Sequence, residues 1–206
     1  MVDKVKGSDK PWLKNYKLGP YSLKKTLEPY PKAPIHQLLE DSARAYPSQI
    51  AVEYLGWKIK YSELKVQVDR LANALADLGV RKGDRLVTIL PNCPQFIMTD
   101  FAVSKAGGAM IPCSTHHTAR DLEYEISQSG AETVVCSDTA LSLVQSVKDK
   151  TKLKSIIVTS PMDYSLQEPE LTEIPGAIQF KRLVAEHEPK PPEVQINPVE
   201  DMAYLA

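Results

Sequence analysis

The histidine pair His116-His117 is the first feature of this sequence that invites chemistry, because imidazoles ligate zinc and related divalent ions. Zinc takes three or four convergent nitrogen, sulfur or oxygen ligands. Adjacent residues on a strand or helix point in different directions, and no cysteine, histidine or aspartate reads as standing at ligand spacing beside the pair. The two histidines therefore read as loop residues lining a crevice or facing water, and no metal site is expected. His36 reads as packed on its own helix, and His187 as exposed in a charged stretch. Asp121, Glu123 and Glu125 are candidates for paired acid–base work, but residues two apart on a helix do not share a face, so they read as a solvated surface.

Cys93, Cys113 and Cys136 each sit in an apolar segment, and no CxxC occurs. An odd number of such cysteines reads as structural thiols in a reducing cytosol. No cationic neighbour is present in sequence to lower a thiol pKa and make a nucleophile. Phosphate chemistry is equally unsupported, since neither GxGxxG nor GxxxxGK[ST] is present. The turn after RLVTIL is PNCP, which offers no glycine for close backbone approach to a pyrophosphate. No GxSxG elbow supports a serine hydrolase. Gly107-Gly108, taken alone, is a tight helix-to-strand turn.

The elements that must carry these residues are legible as periodic patterns. From Pro34 the run IHQLLEDSARAYP places Ile35, Leu38, Leu39 and Ala43 on one helical face, and Pro47 ends it. In IAVEYLGWKIKYSEL, Ile50, Val52 and Tyr54 alternate, Gly56 interrupts, and Trp57, Ile59 and Tyr61 alternate again, which predicts a β-hairpin. Ser62 stands where a cap for the next helix belongs. Leu64, Val68, Leu71, Leu75 and Leu78 then form an amphipathic stripe, and Gly79 follows at the helix exit. RLVTIL is a near-continuous apolar run, the kind buried on both faces of a parallel sheet. CPQFIMTDFAVSKAG predicts a helix with Pro94 in its first turn and Gly107 at its exit. AMIPC, ETVVC and KSIIVTS predict further strands. Between them TARDLEYEISQSG and DTALSLVQSVKDK predict helices, the first with Thr118 and Asp121 placed as a capping box. IQFKRLVAEH reads as a short helix between acidic, Pro-rich stretches.

A β-α-β-α-β-α-β order with short connections predicts an α/β fold: a doubly wound, mostly parallel sheet with flanking helices, plus an N-terminal arm and hairpin. The arm covers residues 1–33, with Trp12, Tyr16 and Tyr30 as its expected anchors, and residues 34–206 form the body. With 43% hydrophobic and 25% charged residues the composition is that of an ordinary globular protein. A formal net charge of −1 provides no basic field for nucleic acid or an anionic membrane. Pro91, Asn92, Pro94 and Asp100 interrupt the longest low-charge stretch, so no transmembrane segment is predicted. The first residues carry charges without an apolar secretory core, and a cytoplasmic location is expected.

Several segments in joint order carry more information than any single motif. IKYSEL, then LGVRKGDRLVTILPNCPQF, then SKAGGAMIPCSTHHTARDLEYEISQSGAETVVC resemble the N-terminal part of the adenylate-forming acyl-CoA synthetases. KYSEL is similar to the first core motif of that family and SKAGGAMIPCS to the second, usually written LKAGxxxVPL. PWLKNY, LEPYP and HQLLEDSARAYP resemble the start of long-chain fatty acid–CoA ligases.

The resemblance implies a parent enzyme that uses ATP, Mg2+ and CoA to activate a fatty acid through an acyl-adenylate. DMAYLA, at the end of the sequence, is similar to the strand that in this family leads into a Ser/Thr/Gly-rich phosphate loop ending in lysine. No such loop lies in these residues, nor do the adenine- and ribose-binding motifs or the C-terminal domain with its catalytic lysine. The implied unit is the N-terminal portion of an adenylation domain, incomplete relative to the family's large domain. It carries no catalytic residue and is expected to be inactive and without bound cofactor alone. An exposed apolar patch is expected near residues 202–206. The resemblance also implies that Ser114, Thr115 and His116 line the entrance used by CoA, although Thr-His-His departs from the small apolar or proline-containing sequences common there. The alternative is a non-catalytic interaction or acyl-chain-binding module of the same fold, forming a homodimer through the N-terminal arm. A stand-alone nucleotide-binding domain is disfavoured by the missing phosphate loop.

Overall fold

The computed structural model describes residues 29–167 and 174–205. Trp12 and Tyr16 lie outside these residues, and Tyr30 is exposed. Helix α1 (Gln37–Ala45) buries Leu39 and Ala43. Leu38, expected on the same face, is 63% exposed. At 3.6 residues per turn, one position is enough to swing a side chain from core to water. Strands β1 (Ile50–Tyr54) and β2 (Trp57–Lys60) pair antiparallel, as the alternation predicts. The two residues between them, Leu55 and Gly56, have φ of 46° and 80°. Two consecutive positive φ values give a turn whose twist matches that of the strands.

Helix α2 (Tyr61–Asp77) begins before Ser62, which therefore does not cap it. The Ser62 hydroxyl instead donates to the Pro47 carbonyl at 2.8 Å, and the Glu63 carboxylate accepts the Lys60 N–H at 3.1 Å. Leu64, Val68, Leu71 and Leu75 of the predicted stripe are all buried.

The central sheet follows from the continuous apolar runs. In chain order it comprises β3 (Arg85–Ile89), α3 (Pro94–Lys105), β4 (Ala109–Pro112), α4 (Ala119–Ser129), β5 (Thr133–Ser137), α5 (Asp138–Lys148), β6 (Ser155–Thr159), β7 (Ile178–Gln179) and α6 (Phe180–Glu186). The spatial order is β4-β3-β5-β6-β7, and every pairing is parallel. Leu86, Met110, Val135 and Ile157 face one core together with side chains of α2, α3 and α6. Val87, Ile111, Val134, Cys136 and Ile156 face a second core closed by α4 and α5. Both faces of the sheet are thus covered, which is why its strands show no polar alternation. The short helix expected over 178–187 is preceded by the two-residue strand β7.

Beyond β4 the sheet gains one more contact. The Met110 N–H donates to Ala203 O at 2.9 Å, and the Leu205 N–H donates to Met110 O at 3.1 Å, a parallel bridge. Pro112 lies two residues beyond Met110 and so faces the same outer side, where its missing N–H leaves no ladder bond unmade. The Tyr204 hydroxyl donates to Asp100 at 2.5 Å. Met202, Tyr204 and Leu205 remain exposed, so this segment is an apolar surface patch rather than a buried strand.

Gly107 joins α3 to β4 with φ of 80°. A Cβ there would lie 2.7 Å from Val194 Cγ1 and 3.1 Å from the Lys82 Cα. Gly79 has φ of 96° with nothing within 4 Å of such a Cβ. Gly79→Ala is therefore expected to cost only the left-handed backbone strain, roughly 1–2 kcal/mol. Gly107→Ala adds an overpacking cost of about 1 kcal/mol or more. Urea midpoints of the two variants separate the contributions.

Candidate functional site

From β3 the chain crosses through α3 to β4 on one side, then returns through α4 to β5 on the other. The carboxyl ends of β3 and β5 therefore form a topological switch point, where open α/β sheets leave a crevice for ligands. Pro91 and Asn92 are exposed at the end of β3, and Cys93 precedes Pro94 at the first turn of α3. At the end of β5 the Ser137 and Thr139 hydroxyls lie 2.8 Å apart, and Asp138 accepts the Thr139 N–H at 2.8 Å. Proline removes a donor from one helix start and a carboxylate occupies the other, so this rim offers no cradle for a phosphate.

Ser114, Thr115 and His116 occupy an exposed turn after β4. The Ser114 hydroxyl accepts the His116 N–H at 3.1 Å, and the Ser114 carbonyl accepts the His117 N–H at 3.3 Å. Two backbone donors are thereby committed inside the turn. Thr115 Oγ1 lies 3.5 Å from His116 Nδ1, leaving an exposed hydroxyl and imidazole side by side. Thr118 and Asp121 form the predicted capping box: Asp121 Oδ2 accepts the Thr118 N–H at 3.0 Å, and Thr118 Oγ1 accepts the Asp121 N–H at 3.4 Å. These bonds hold the Asp121 carboxyl below the usual carboxylate range.

His117 departs from the sequence expectation. It is half-buried, and its Nδ1 lies 3.3 Å from Glu125 Oε2. Cys113, Glu125 and His117 each present one ligand atom within 4.8 Å of the others. The expectation that no cysteine, histidine or aspartate stands at ligand spacing beside the histidine pair thus fails for His117, which has Cys113 within that reach. The spacing Cys-x3-His-x7-Glu crosses a strand end, a turn and a helix, so no single periodicity reports it. Of the acidic trio, Glu123 pairs with Lys150 at 3.3 Å and Glu125 with His117, both carboxylates being partly exposed. His36 packs less on its own helix than on α3, where its Nδ1 lies 3.0 Å from Ser104 Oγ. Burial, with Lys105 nearby, lowers its pKa.

All three cysteines are free and buried, in keeping with the structural reading. Burial and the Asp138 carboxylate push the Cys136 thiol from 9.0 up to about 12. A folded-state pKa raised above the unfolded value gives stability that is complete below the unfolded pKa and is lost as pH rises towards the folded one. The stability difference between the wild-type chain and Cys136→Ala is therefore expected to shrink between about pH 9 and pH 12. Urea titrations at stepped pH check this, and a constant difference would contradict it.

Among the described residues no helix is long and apolar enough to cross a membrane. Residues 39–206 match the family model described as AMP-binding enzyme. A long-chain-fatty-acid–CoA ligase of Bacillus subtilis is 30% identical over 157 residues, which are 76% of this chain and 27% of that protein. A feruloyl-CoA synthase of an Amycolatopsis species is 37% identical over 93 residues, 45% of this chain and 19% of that protein. The crystal structure of a long-chain-fatty-acid–CoA ligase from Archaeoglobus fulgidus superposes with a TM-score of 0.70 at 20% identity, covering 92% of this chain and 36% of that one. The chain thus spans about a quarter of the length of the long-chain ligases it matches.

Proposed function

This chain belongs to the AMP-binding enzyme family, and from that premise we propose that it is the N-terminal portion of the adenylation domain of a fatty acid–CoA ligase. The proposed overall reaction has two halves. A fatty acid carboxylate displaces pyrophosphate from ATP at the α-phosphate, giving an acyl-adenylate. The CoA thiol then displaces AMP to form the thioester. The observation that carries this reading is the 30% identity to a fatty acid–CoA ligase across 76% of the chain. The parallel topology with its switch point, and a cytoplasm-compatible set of free thiols, agree with it.

Displacement at phosphate requires cations and N–H donors around the developing charge. The rim residues Pro91, Asn92, Asp138 and Thr139 supply no cation to the phosphates of ATP, so no step is assigned to them. Ser114, Thr115 and His116 are proposed to border the CoA entrance, where the exposed imidazole and hydroxyls meet its polar nucleotide end. The 206-residue chain alone is expected to release no pyrophosphate with ATP, Mg2+ and a fatty acid. Product of the complete reading frame is expected to do so with fatty acids. Release with aryl acids alone would replace the fatty acid assignment. Amide shifts on titrating CoA that spare residues 114–116 would remove the proposed entrance.

A further inference from the structure

We propose that Cys113, His117 and Glu125 form a binding site for a zinc-class divalent ion on the loop joining β4 to α4. Such a site stands independently of the ligase reading. The three side chains come from one short stretch of chain, held at both ends by ordered structure. Cys113 is fixed because its N–H donates to Thr88 O at 2.8 Å, continuing the ladder past the end of β4. Glu125 is fixed by the capping box that starts α4, since it lies on the helix face of Thr118, Asp121 and Leu122. His117 sits between them, its N–H bonded to Ser114 O.

The mutual geometry is that of ligands. Bond lengths to zinc of about 2.0–2.3 Å at tetrahedral angles separate neighbouring donor atoms by roughly 3.3–3.6 Å. His117 Nδ1 and Glu125 Oε2 already stand 3.3 Å apart. The third ligand atom lies within 4.8 Å of both, a gap that side-chain rotation can close. The ordinary alternative is a hydrogen-bonded trio in which thiol and imidazole both donate to the carboxylate. It leaves one atom unexplained: His117 Nδ1 is buried and, despite its distance to Glu125, makes no hydrogen bond. A buried polar nitrogen that faces a carboxylate without hydrogen-bonding it is unfavourable, and a cation between the two supplies the missing interaction.

The donor set selects the ion. Thiolate, imidazole and carboxylate together suit zinc or cobalt, whereas magnesium and calcium prefer all-oxygen shells. Cys113 is buried while His117 and Glu125 are half-exposed, so the fourth coordination position faces water. Binding exchanges the thiol proton for the metal: Cys113 S–H and M2+ give Cys113 S–M+ and a proton released to solvent. Residues 114–116 lie inside the chelate ring and would be stiffened by it.

Cobalt(II) titration of the purified chain tests this directly, read from the sulfur-to-cobalt charge-transfer band in the near ultraviolet. One equivalent is expected to bind and to be displaced by zinc. Cys113→Ser should abolish the band. His117→Ala and Glu125→Gln should each weaken binding about tenfold or more, while His116→Ala, one residue away, binds as the parent does. His117 and Glu125 are half-exposed, so their variants keep the test valid if Cys113→Ser fails to fold. Absence of the band in the parent chain, its survival in Cys113→Ser, or equal losses in His116→Ala and His117→Ala would overturn the proposal.

Discussion

Lys105→Ala is expected to destabilise the fold by about 3–5 kcal/mol, because it removes the more buried of the two cations that neutralise Asp69 and Glu40. The Lys105 ammonium, near the end of α3, pairs with both Asp69 of α2 and Glu40 of α1. The Lys105 and Asp69 side chains are 6% and 5% exposed. Lys65 completes the group, 2.5 Å from Asp69 and 3.5 Å from Glu40. Two cations and two carboxylates therefore tie three helices together with no net charge. Removing one cation leaves Asp69 desolvated with only Lys65 beside it. The double variant Lys105→Met with Asp69→Leu removes one charge of each sign and leaves Lys65 facing Glu40. It is expected to recover most of the loss, since a buried pair replaced by apolar side chains of similar volume is often neutral. Equilibrium urea unfolding measures both. A Lys105→Ala variant within about 1 kcal/mol of the parent would show that the network carries little charge-burial energy.

That network shows which parts of the fold the sequence exposes. Strands β3 to β6 and helices α2 to α5 are legible because burial on both faces of a sheet, or on one stripe of a helix, writes an apolar period into the chain. Thr118 with Asp121, Pro94 and Gly107 mark helix ends through local chemistry, so their roles are readable in isolation. Asp69 and Lys105 are polar letters in the middle of helical patterns. Nothing local says that they face inward to each other, 36 residues apart in sequence. Ser62 illustrates the converse: a good capping residue whose hydroxyl is taken by Pro47, 15 residues away.

The site is less legible for the same physical reason. The glycine-free turn PNCP is a readable signal, because close backbone approach to a phosphate depends on one residue type in one turn. The gathering of Cys113, His117 and Glu125 depends on how a turn folds between two elements, and a pattern search along one element does not see it. Glu125 does carry a weak signal. It is a charged residue three positions from Leu122 and one from Ile126, at the border of the buried face of α4, where a carboxylate meets partners as well as water.

Phe180→Ala is the second substitution expected to cost about 3–5 kcal/mol, and it probes an element that periodicity could not predict. Two residues, Ile178 and Gln179, make the whole of β7, too few to show alternation. They pair with Ile157 and Val158 at the edge of the sheet. Two residues of ladder do not hold a strand by themselves, so the position of β7 depends on the packing of α6. Phe180, the first residue of α6, is 0% exposed and packs edge-on to Tyr164 with ring centroids 6.4 Å apart. Tyr164 in turn packs edge-on to Trp57 of the hairpin at 5.0 Å. This aromatic chain links β7 and α6 to β2, so loss of the Phe180 ring opens a cavity and frees the edge together. Phe180→Leu keeps most of the volume and is expected to cost less than half as much. Hydrogen exchange separates anchoring from simple core loss: in Phe180→Ala the amides of residues 157–158 and 178–184 should lose protection before those of β3. Uniform loss of protection across the sheet would mean that Phe180 stabilises the domain without specifically anchoring its edge.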